Sequence, residues 1–133
     1  MRKQKVVVIG GGTGTFVVLS GLKKYIEDLV AVVSMTDSGG CNERIRDEFG
    51  LLPTSDIRQC FVALASGTNE TEKIMRQLFT YRFSKGNSLA GMTFGNLFMA
   101  ALADILGSQY EAIKKTGKVL RITGGVVPVT LDN

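Results

Sequence analysis

Histidine is the residue type that this chain lacks altogether, with none among its 133 residues. Its absence excludes an imidazole general base, a histidine metal ligand and a Ser-His-Asp triad within this sequence. Cysteine is scarce as well, and Cys41 and Cys60 have neither metal-type spacing nor a redox motif. Because no secretory signal precedes them, we expect both to be free thiols in a cytoplasmic protein.

Long apolar runs are also missing. No stretch approaches the roughly 20 apolar residues that a membrane span needs, and four apolar residues after the basic start do not make a signal peptide. The formal net charge is +4, but no basic run is interleaved with aromatic residues, so nucleic-acid binding is unsupported. The excess of basic over acidic residues suits small anionic ligands. A hydrophobic content of 44% is enough to form the core of one domain.

The beginning of the chain carries the most informative motif. Val6–Ile9 predicts a strand buried on both faces, and a glycine loop follows it directly: Gly10, Gly11, Gly12, Thr13, Gly14 and Thr15. Apolar residues then return at helical spacing from Thr15 to Tyr25. This strand, loop and helix would aim unpaired N–H groups at a phosphate. Thr15 stands at the third glycine position of the dinucleotide fingerprint, so the match is partial, and a tight packing turn is the alternative.

A second polar cluster follows the next predicted strand, Leu29–Val33. It comprises Asp37, Ser38, Gly39 and Gly40, at the strand end where ligands of open α/β sheets bind. Asp37 could hold a ribose hydroxyl or a divalent cation, and Ser38 with the two glycines could donate to phosphate. An ordinary turn of the same composition is the alternative interpretation.

Two further clusters contain candidate ligand-binding side chains. Asp56 and Arg58 follow Leu52-Pro53, where Asp56 could bind ligand or merely favour the first turn of a helix that Ser55 caps. Arg58 could reach a phosphate or pair with a nearby acid. Asn96 stands between two glycines and a strongly apolar helix, and its amide could contact a base, a sugar or a loop carbonyl.

The remaining pattern alternates helices and strands. A capping box at Asn69 begins one helix, an apolar stripe from Phe94 to Ile105 forms another that ends at Gly107, and Ser108 begins a third. Val119–Ile122 and Val126–Val129 are predicted as strands. The order indicates a Rossmann-like, doubly wound, mainly parallel α/β sheet. With about four strands where five or more are common, we expect an incomplete sheet from a truncated chain.

These segments together resemble the CofD-like family, and specifically its gluconeogenesis-factor branch. The resemblance covers nearly the whole chain, 1–133, as the N-terminal part of a single nucleotide-binding α/β domain. Matching blocks in the same order are Gly10–Thr15, Thr36–Gly40, Arg46–Gly50, Leu52-Pro53 with Asp56–Arg58, Tyr81–Phe83, Phe94–Phe98 and Val127–Thr130. Where the family usually has His-Ser, this chain has Met92-Thr93.

The resemblance implies a cytoplasmic bacterial protein that binds a nucleotide sugar, UDP-N-acetylglucosamine, without catalysis. Such proteins link carbon metabolism to cell-wall precursor synthesis and cell shape. The resemblance therefore implies a protein partner in cell-wall precursor synthesis. Self-association into a homo-oligomer is a further expectation. The alternative is a phosphotransferase, the 2-phospho-L-lactate transferase of coenzyme F420 synthesis, which uses Mg²⁺. Only Asp37 stands where adjacent acids would favour a metal-dependent enzyme. A nicotinamide-dependent oxidoreductase is the weakest interpretation, since no catalytic acid–base pair supports it.

Overall fold

The computed structural model describes residues 3–36 and 41–131, except for the side chains of 41, 42 and 47. Its centre is a parallel sheet in the order β1-β2-β3, formed by β1 (Lys5–Gly10), β2 (Asp28–Val33) and β3 (Gly125–Pro128). Val8 pairs with Ala31, which pairs in turn with Val126. The two N-terminal strands were expected almost to the residue, because glycines and charged turns bound their apolar runs.

Six helices accompany the sheet in the described part of the chain. They are α1 (Thr13–Leu22), α2 (Cys41–Phe49), α3 (Ser55–Leu64), α4 (Glu70–Thr80), α5 (Phe94–Leu106) and α6 (Gln109–Val119). The predicted caps of three helices are confirmed. Asn69 accepts from the N–H of Glu72, Ser108 accepts from that of Glu111, and Gly107 ends α5 in the left-handed conformation.

The predicted strand Val119–Ile122 is wrong. Helix α6 continues to Val119, and the chain then turns, with the N–H of Leu120 donating to Thr116 O and that of Ile122 to Gly117 O. The apolar residues that indicated a strand serve instead to bury the helix end, since Leu120 is 3% exposed and Ile122 packs against the core. A short apolar run has no period that separates these two outcomes.

One face of the sheet carries the main core. Leu29, Ala31 and Val33 of β2 are buried there, and Val126 of β3 joins them. Because the strands lie side by side in chain order, both right-handed crossovers bring their helices to this same face. Helix α3 supplies Ile57, Cys60 and Phe61 to the core, and Phe79 of α4 packs edge-on against Phe94 and more closely against Phe98.

The opposite face of the sheet stays open in the described residues. Val7 and Ile9 of β1 are 57% and 75% exposed, and Val127 of β3 is 42% exposed. These residues alternate with the buried ones, as the period of two in a strand requires. Parallel sheets in Rossmann-like folds are ordinarily covered by helices on both faces. In the described residues, helices cover one face of this sheet.

Candidate ligand site at the glycine loop

The glycine loop joins the carboxyl end of β1 to the first turn of α1. Gly12 precedes the helix, and its carbonyl accepts the N–H of Phe16 at 3.1 Å. None of Gly10, Gly11, Gly12 or Gly14 has a positive φ, unlike Gly50 and Gly107 elsewhere in the chain. The loop therefore requires glycine for close approach to its backbone and not for a left-handed conformation.

Thr15 explains the first glycine of the loop. Its side chain is buried, and its hydroxyl oxygen occupies the position that a Cβ on Gly10 would need. The departure from the dinucleotide fingerprint at Thr15 is thus accommodated by Gly10, the last residue of β1. Thr13 and Gly14 are exposed at the start of α1, and a Cβ on Gly14 would meet nothing within 4 Å.

The carboxylate of Asp56 lies against the middle of the loop. A Cβ built on Gly12 would be 2.9 Å from Asp56 Oδ1, and one built on Gly11 would be 3.3 Å from Oδ2. Gln59 joins it, with Nε2 at 3.6 Å from the same position on Gly12. Asp56 is in the first turn of α3, so this helix directs its N-terminal end at the loop. The sequence blocks 10–15 and 56–58 therefore meet in space.

Gln59 also belongs to this site, although no sequence motif predicts it. A glutamine inside a helix belongs to no recognised motif. The available signal was its position three residues after Asp56, which places both side chains on the same helix face.

The residue that begins α3 also differs from expectation. Ser55 was predicted as the N-cap, but Thr54 holds that position and Ser55 is the first helical residue. The Thr54 side chain makes no capping hydrogen bond, and its buried hydroxyl has no hydrogen-bond partner within the described ranges. Ser55 is used differently, because its hydroxyl oxygen accepts a hydrogen bond from Asn96 Nδ2 at 3.0 Å.

Arg58 is held inside the protein and not at its surface. It is 9% exposed, and its Nη1 donates to the carbonyl of Phe79 at 3.2 Å. Gly95 makes this possible, since a Cβ there would lie 2.8 Å from both Arg58 Cδ and Phe79 O. The arginine stem and a backbone carbonyl are therefore the groups that approach Gly95 closely.

Asn96 is fully buried and fastens α5 to the start of α3 through Ser55. Met92 is 2% exposed and packs with Ile45 in a small second core. The Asn96 segment is therefore joined to the Asp56–Arg58 segment by a buried polar contact through Ser55, and Asp56 faces the glycine loop.

Four predicted site residues, Asp37, Ser38, Gly39 and Gly40, lie outside the described residues. Within 3–36 and 41–131 no three His, Cys, Asp or Glu side chains gather as a metal-binding group. Among the described residues, Asp56 has a carboxylate that lies against Gly11 and Gly12 of the loop. Its negative charge at the N-terminal end of α1 is electrostatically favourable, because the unpaired N–H groups there carry partial positive charge.

A separate cationic groove lies between α6 and β3. It has a volume of about 520 Å³, and its lining includes Lys114, Lys118 and Arg121 together with Phe61 and Val126. No residue of the glycine loop lines it.

The fold and the loop define a Rossmann-like α/β protein whose first strand leads through glycines into a helix. The family described as 2-phospho-L-lactate transferase CofD matches residues 6–133, and this chain belongs to that CofD family. In the described part of the chain, no helix is long and apolar enough to cross a membrane.

Relatives of this chain are known as gluconeogenesis factors. The Gluconeogenesis factor of Bacillus subtilis is 40% identical over 127 residues, and that of Listeria innocua is 44% identical over 128 residues. Each alignment covers 96% of this chain, but only 39% and 38% of the respective relatives. A Nostoc sp. relative whose name carries the same term is 47% identical over 99% of this chain and 28% of its own length.

A solved structure confirms the fold. A Bacillus halodurans protein of the UPF0052 family superimposes with a TM-score of 0.89 at 38% identity. The match covers 98% of this chain and 41% of that one. This chain therefore spans less than half the length of the relatives it matches.

Proposed function

We propose that the glycine loop binds the phosphates of a nucleotide sugar, with UDP-N-acetylglucosamine as the leading candidate. We further propose that the chain belongs to a cytoplasmic, non-catalytic regulator that links carbon metabolism to cell-wall precursor synthesis and cell shape. The observation that carries the proposal is the loop itself, at the carboxyl end of β1 and the N-terminus of α1. Backbone N–H groups and the helix dipole favour a phosphate there. The relatives named gluconeogenesis factor support the regulatory role.

Asp56 would divide the site into two electrostatic parts. A phosphate beside its carboxylate would be repelled, so the phosphates belong at the exposed start of α1, near Thr13 and Gly14. The carboxylate of Asp56 is suited to accept hydrogen bonds from hydroxyl groups of the ribose or the sugar. Gln59, on the same side, offers both an amide donor and an acceptor.

Arg58 and Asn96 would act as positioning residues for Asp56. Both are buried, and they tie the first turns of α3 to Phe79 and to the Gly95-Asn96 segment. The orientation of Asp56 against the loop then follows from packing, which reduces the entropy lost when ligand binds. Asp37, Ser38, Gly39 and Gly40 remain proposed ligand contacts on the sequence argument alone.

Calorimetry with UDP-N-acetylglucosamine, with and without Mg²⁺, tests the proposal on this chain. We expect saturable binding that Gly12→Val abolishes, since a side chain there meets Asp56 and covers the loop. Gly21→Val, at an open position on α1, is the matched control and should bind like the wild type if it folds. Equal affinity of the Gly12 variant and the wild type would make the loop purely structural.

Asp56→Asn separates the carboxylate charge from its shape. If Asp56 accepts ligand hydroxyl groups, the variant should bind about 10-fold more weakly, the scale of one charged hydrogen bond. An unchanged affinity together with a lower melting temperature would assign Asp56 to the folding of α3.

The family description favours one alternative, the transfer of a phosphoryl-linked group as in 2-phospho-L-lactate transferase. That chemistry requires Mg²⁺ to neutralise phosphate charge, for which Asp56 and Asp37 are the candidate carboxylates. Incubation with Mg²⁺, a deazaflavin acceptor and its guanylylated donor distinguishes the two proposals. Formation of a phosphodiester-linked deazaflavin would reject the regulator and support the transferase.

A further inference from the structure

The groove between α6 and β3 has the size and the apolar base of a small-molecule site. Its volume of about 520 Å³ lies within the range of roughly 300–1,000 Å³ that is usual for ligand pockets. Phe61 of α3, Ile113 of α6 and Val126 of β3 line it, and all three belong to the main core. The apolar part of a ligand resting on these side chains would be removed from water, which is favourable.

Three cationic side chains border this apolar base. Lys114 and Lys118 are one turn apart on α6, and Arg121 follows the end of the helix. No acidic residue lines the groove, and within residues 3–36 and 41–131 none of the three cations forms an ion pair with a carboxylate. The helix dipole favours Lys118 in the last turn, but it does not account for Lys114, which repels Lys118 from four positions earlier. The rim therefore presents positive charge that no carboxylate in the described ranges neutralises.

Arg121 occupies a backbone position that glycine normally takes. Its φ is 51°, a positive value that no other non-glycine residue has in the described part of the chain. Its N–H donates to Lys118 O and that of Ile122 donates to Gly117 O, the pattern with which glycine often ends a helix. Gly107 ends α5 in this left-handed conformation. An arginine here costs backbone strain, and its side chain lines the groove.

The outer edge of β3 is poorly suited to an added peptide strand. The N–H of Val129 donates to Val33 O. Because backbone groups alternate along a strand, Val126 and Pro128 direct theirs away from β2. Pro128 has no N–H at this outward position, so a peptide strand would lose a ladder hydrogen bond there. The groove therefore suits a compact ligand better than a peptide that extends the sheet.

We propose that this groove binds a small molecule that carries a phosphate monoester on an aromatic or aliphatic body. The phosphate, which is nearly doubly charged at neutral pH, lies among Lys114, Lys118 and Arg121, where the guanidinium binds two of its oxygens at once. The apolar body rests on Phe61 and Ile113. Strand β2 separates β3 from β1, which leads into the glycine loop, so this site is distinct from the one proposed at that loop.

A suitable probe is 1-naphthyl phosphate, because it carries both halves of the proposed ligand. Calorimetric titration of the chain should show saturable binding at least about 10-fold tighter than that of 1-naphthol or of inorganic phosphate, each of which presents one half. Equal affinity for 1-naphthol would reduce the groove to apolar surface. Equal affinity for inorganic phosphate would reduce it to a charged one, and either result, or the absence of saturable binding, rejects the proposal.

Two neighbouring lysines of α6 provide matched variants. Lys114 lines the groove, whereas Lys115 is exposed on the same helix and is not part of the lining. Lys114→Glu should weaken binding of 1-naphthyl phosphate about 10-fold or more, because a carboxylate then faces the phosphate. Lys115→Glu makes the same change in net charge and should bind like the wild type. Equal losses in the two variants would assign binding to overall charge and contradict the proposal.

The strained position gives a test in which stability and binding change in opposite directions. Arg121→Gly should raise the urea midpoint of unfolding, because glycine adopts a positive φ without strain. The same change should weaken binding of 1-naphthyl phosphate about 10-fold, since it removes a charged hydrogen-bond donor. A more stable variant with unchanged affinity would overturn the placement of the phosphate.

Nuclear magnetic resonance identifies which site the probe occupies. Gly124 and Gly125 line the groove, so their amide signals should shift on titration with 1-naphthyl phosphate, while those of Gly11 and Gly12 should not. Shifts confined to the glycine loop would place the probe there and reject the second site. A dimer of this chain that Lys114→Glu dissociates would make the groove an interface between copies, which would also overturn the proposal.

Discussion

At the scale of single residues, two helical glycines illustrate how the surroundings determine what a side chain does. Gly95 lies under the stem of Arg58 and the carbonyl of Phe79, whereas a Cβ on Gly21 would meet nothing within 4 Å. Neither has a positive φ, so the difference between them is one of space alone.

Alanine at these two positions should therefore act in opposite directions. Gly95→Ala forces Arg58 or Phe79 to move and should lower the free energy of unfolding by about 1–3 kcal/mol. Gly21→Ala should raise it by about 0.5–1 kcal/mol, because alanine loses less backbone entropy in a helix. Urea unfolding of the three proteins measures both changes, and a neutral Gly95→Ala would show that the Arg58 contact is easily rearranged.

Motif residues were easier to predict than the contacts between them. The glycine loop, Asp56, Arg58 and Asn96 stand out because their residue types are unusual at strand ends and helix starts. The sequence does not indicate that Arg58 is directed inward at Phe79 or that Asn96 is joined to Ser55, because those contacts span 21 and 41 positions along the chain. Such pairings depend on how α3, α4 and α5 pack.

At the scale of elements, the start of α4 is defined by polar contacts that titrate. Glu72 accepts from Thr68 Oγ1 at 2.7 Å and from the Thr68 N–H at 3.0 Å. These hydrogen bonds, with one from Ser66, lower the pKa of Glu72 to about 2 from its ordinary 4.5. The backbone of Asn69 also hydrogen-bonds the Glu72 carboxylate, so the predicted capping box is present and the glutamate reaches the residue before the cap as well.

A pH dependence of stability follows from this depressed pKa. The ionised Glu72 stabilises the folded state fully above about pH 4.5, and this contribution is lost as the pH falls toward about 2. Glu72→Gln should unfold more easily than the wild type at neutral pH, and the two should converge in acid. Chemical unfolding across that range measures the difference, and a constant gap would contradict the assignment.

Helix boundaries with caps were predictable, and the end of α6 was not. The capping roles of Asn69, Ser108 and Gly107 can be predicted from sequence, because local hydrogen bonds or backbone conformation determine them. Residues 119–122 are apolar for a tertiary reason, namely burial against the core after the helix has ended. Local pattern cannot distinguish that use from a strand.

At the scale of the whole molecule, Cys60 reports on the integrity of the core. It is fully buried in α3, and burial, together with the charge of Asp56, raises the pKa of its thiol to about 12. Only the thiolate reacts readily with alkylating agents. The thiol should thus be protected by both its surroundings and its protonation.

Cys60 should accordingly react only through unfolding. In a Cys41→Ser background, iodoacetamide labelling should be negligible in buffer and complete in denaturant. Destabilisation by Gly95→Ala should accelerate the labelling in buffer. Rapid labelling that is insensitive to this substitution would show a local opening of α3 instead.

The long second crossover has a consequence for the order in which the protein assembles. β1, α1 and β2 are neighbours in sequence, whereas β3 pairs with β2 only after residues 34–124 have been made. On the ribosome, the N-terminal unit is therefore complete well before its third strand exists, and closing so long a loop is entropically slow. During that interval Ala31 and Val33 have no strand beside them on the β3 side. Synthesis of Gly125–Pro128 therefore determines when the β3 side of β2 acquires its partner strand.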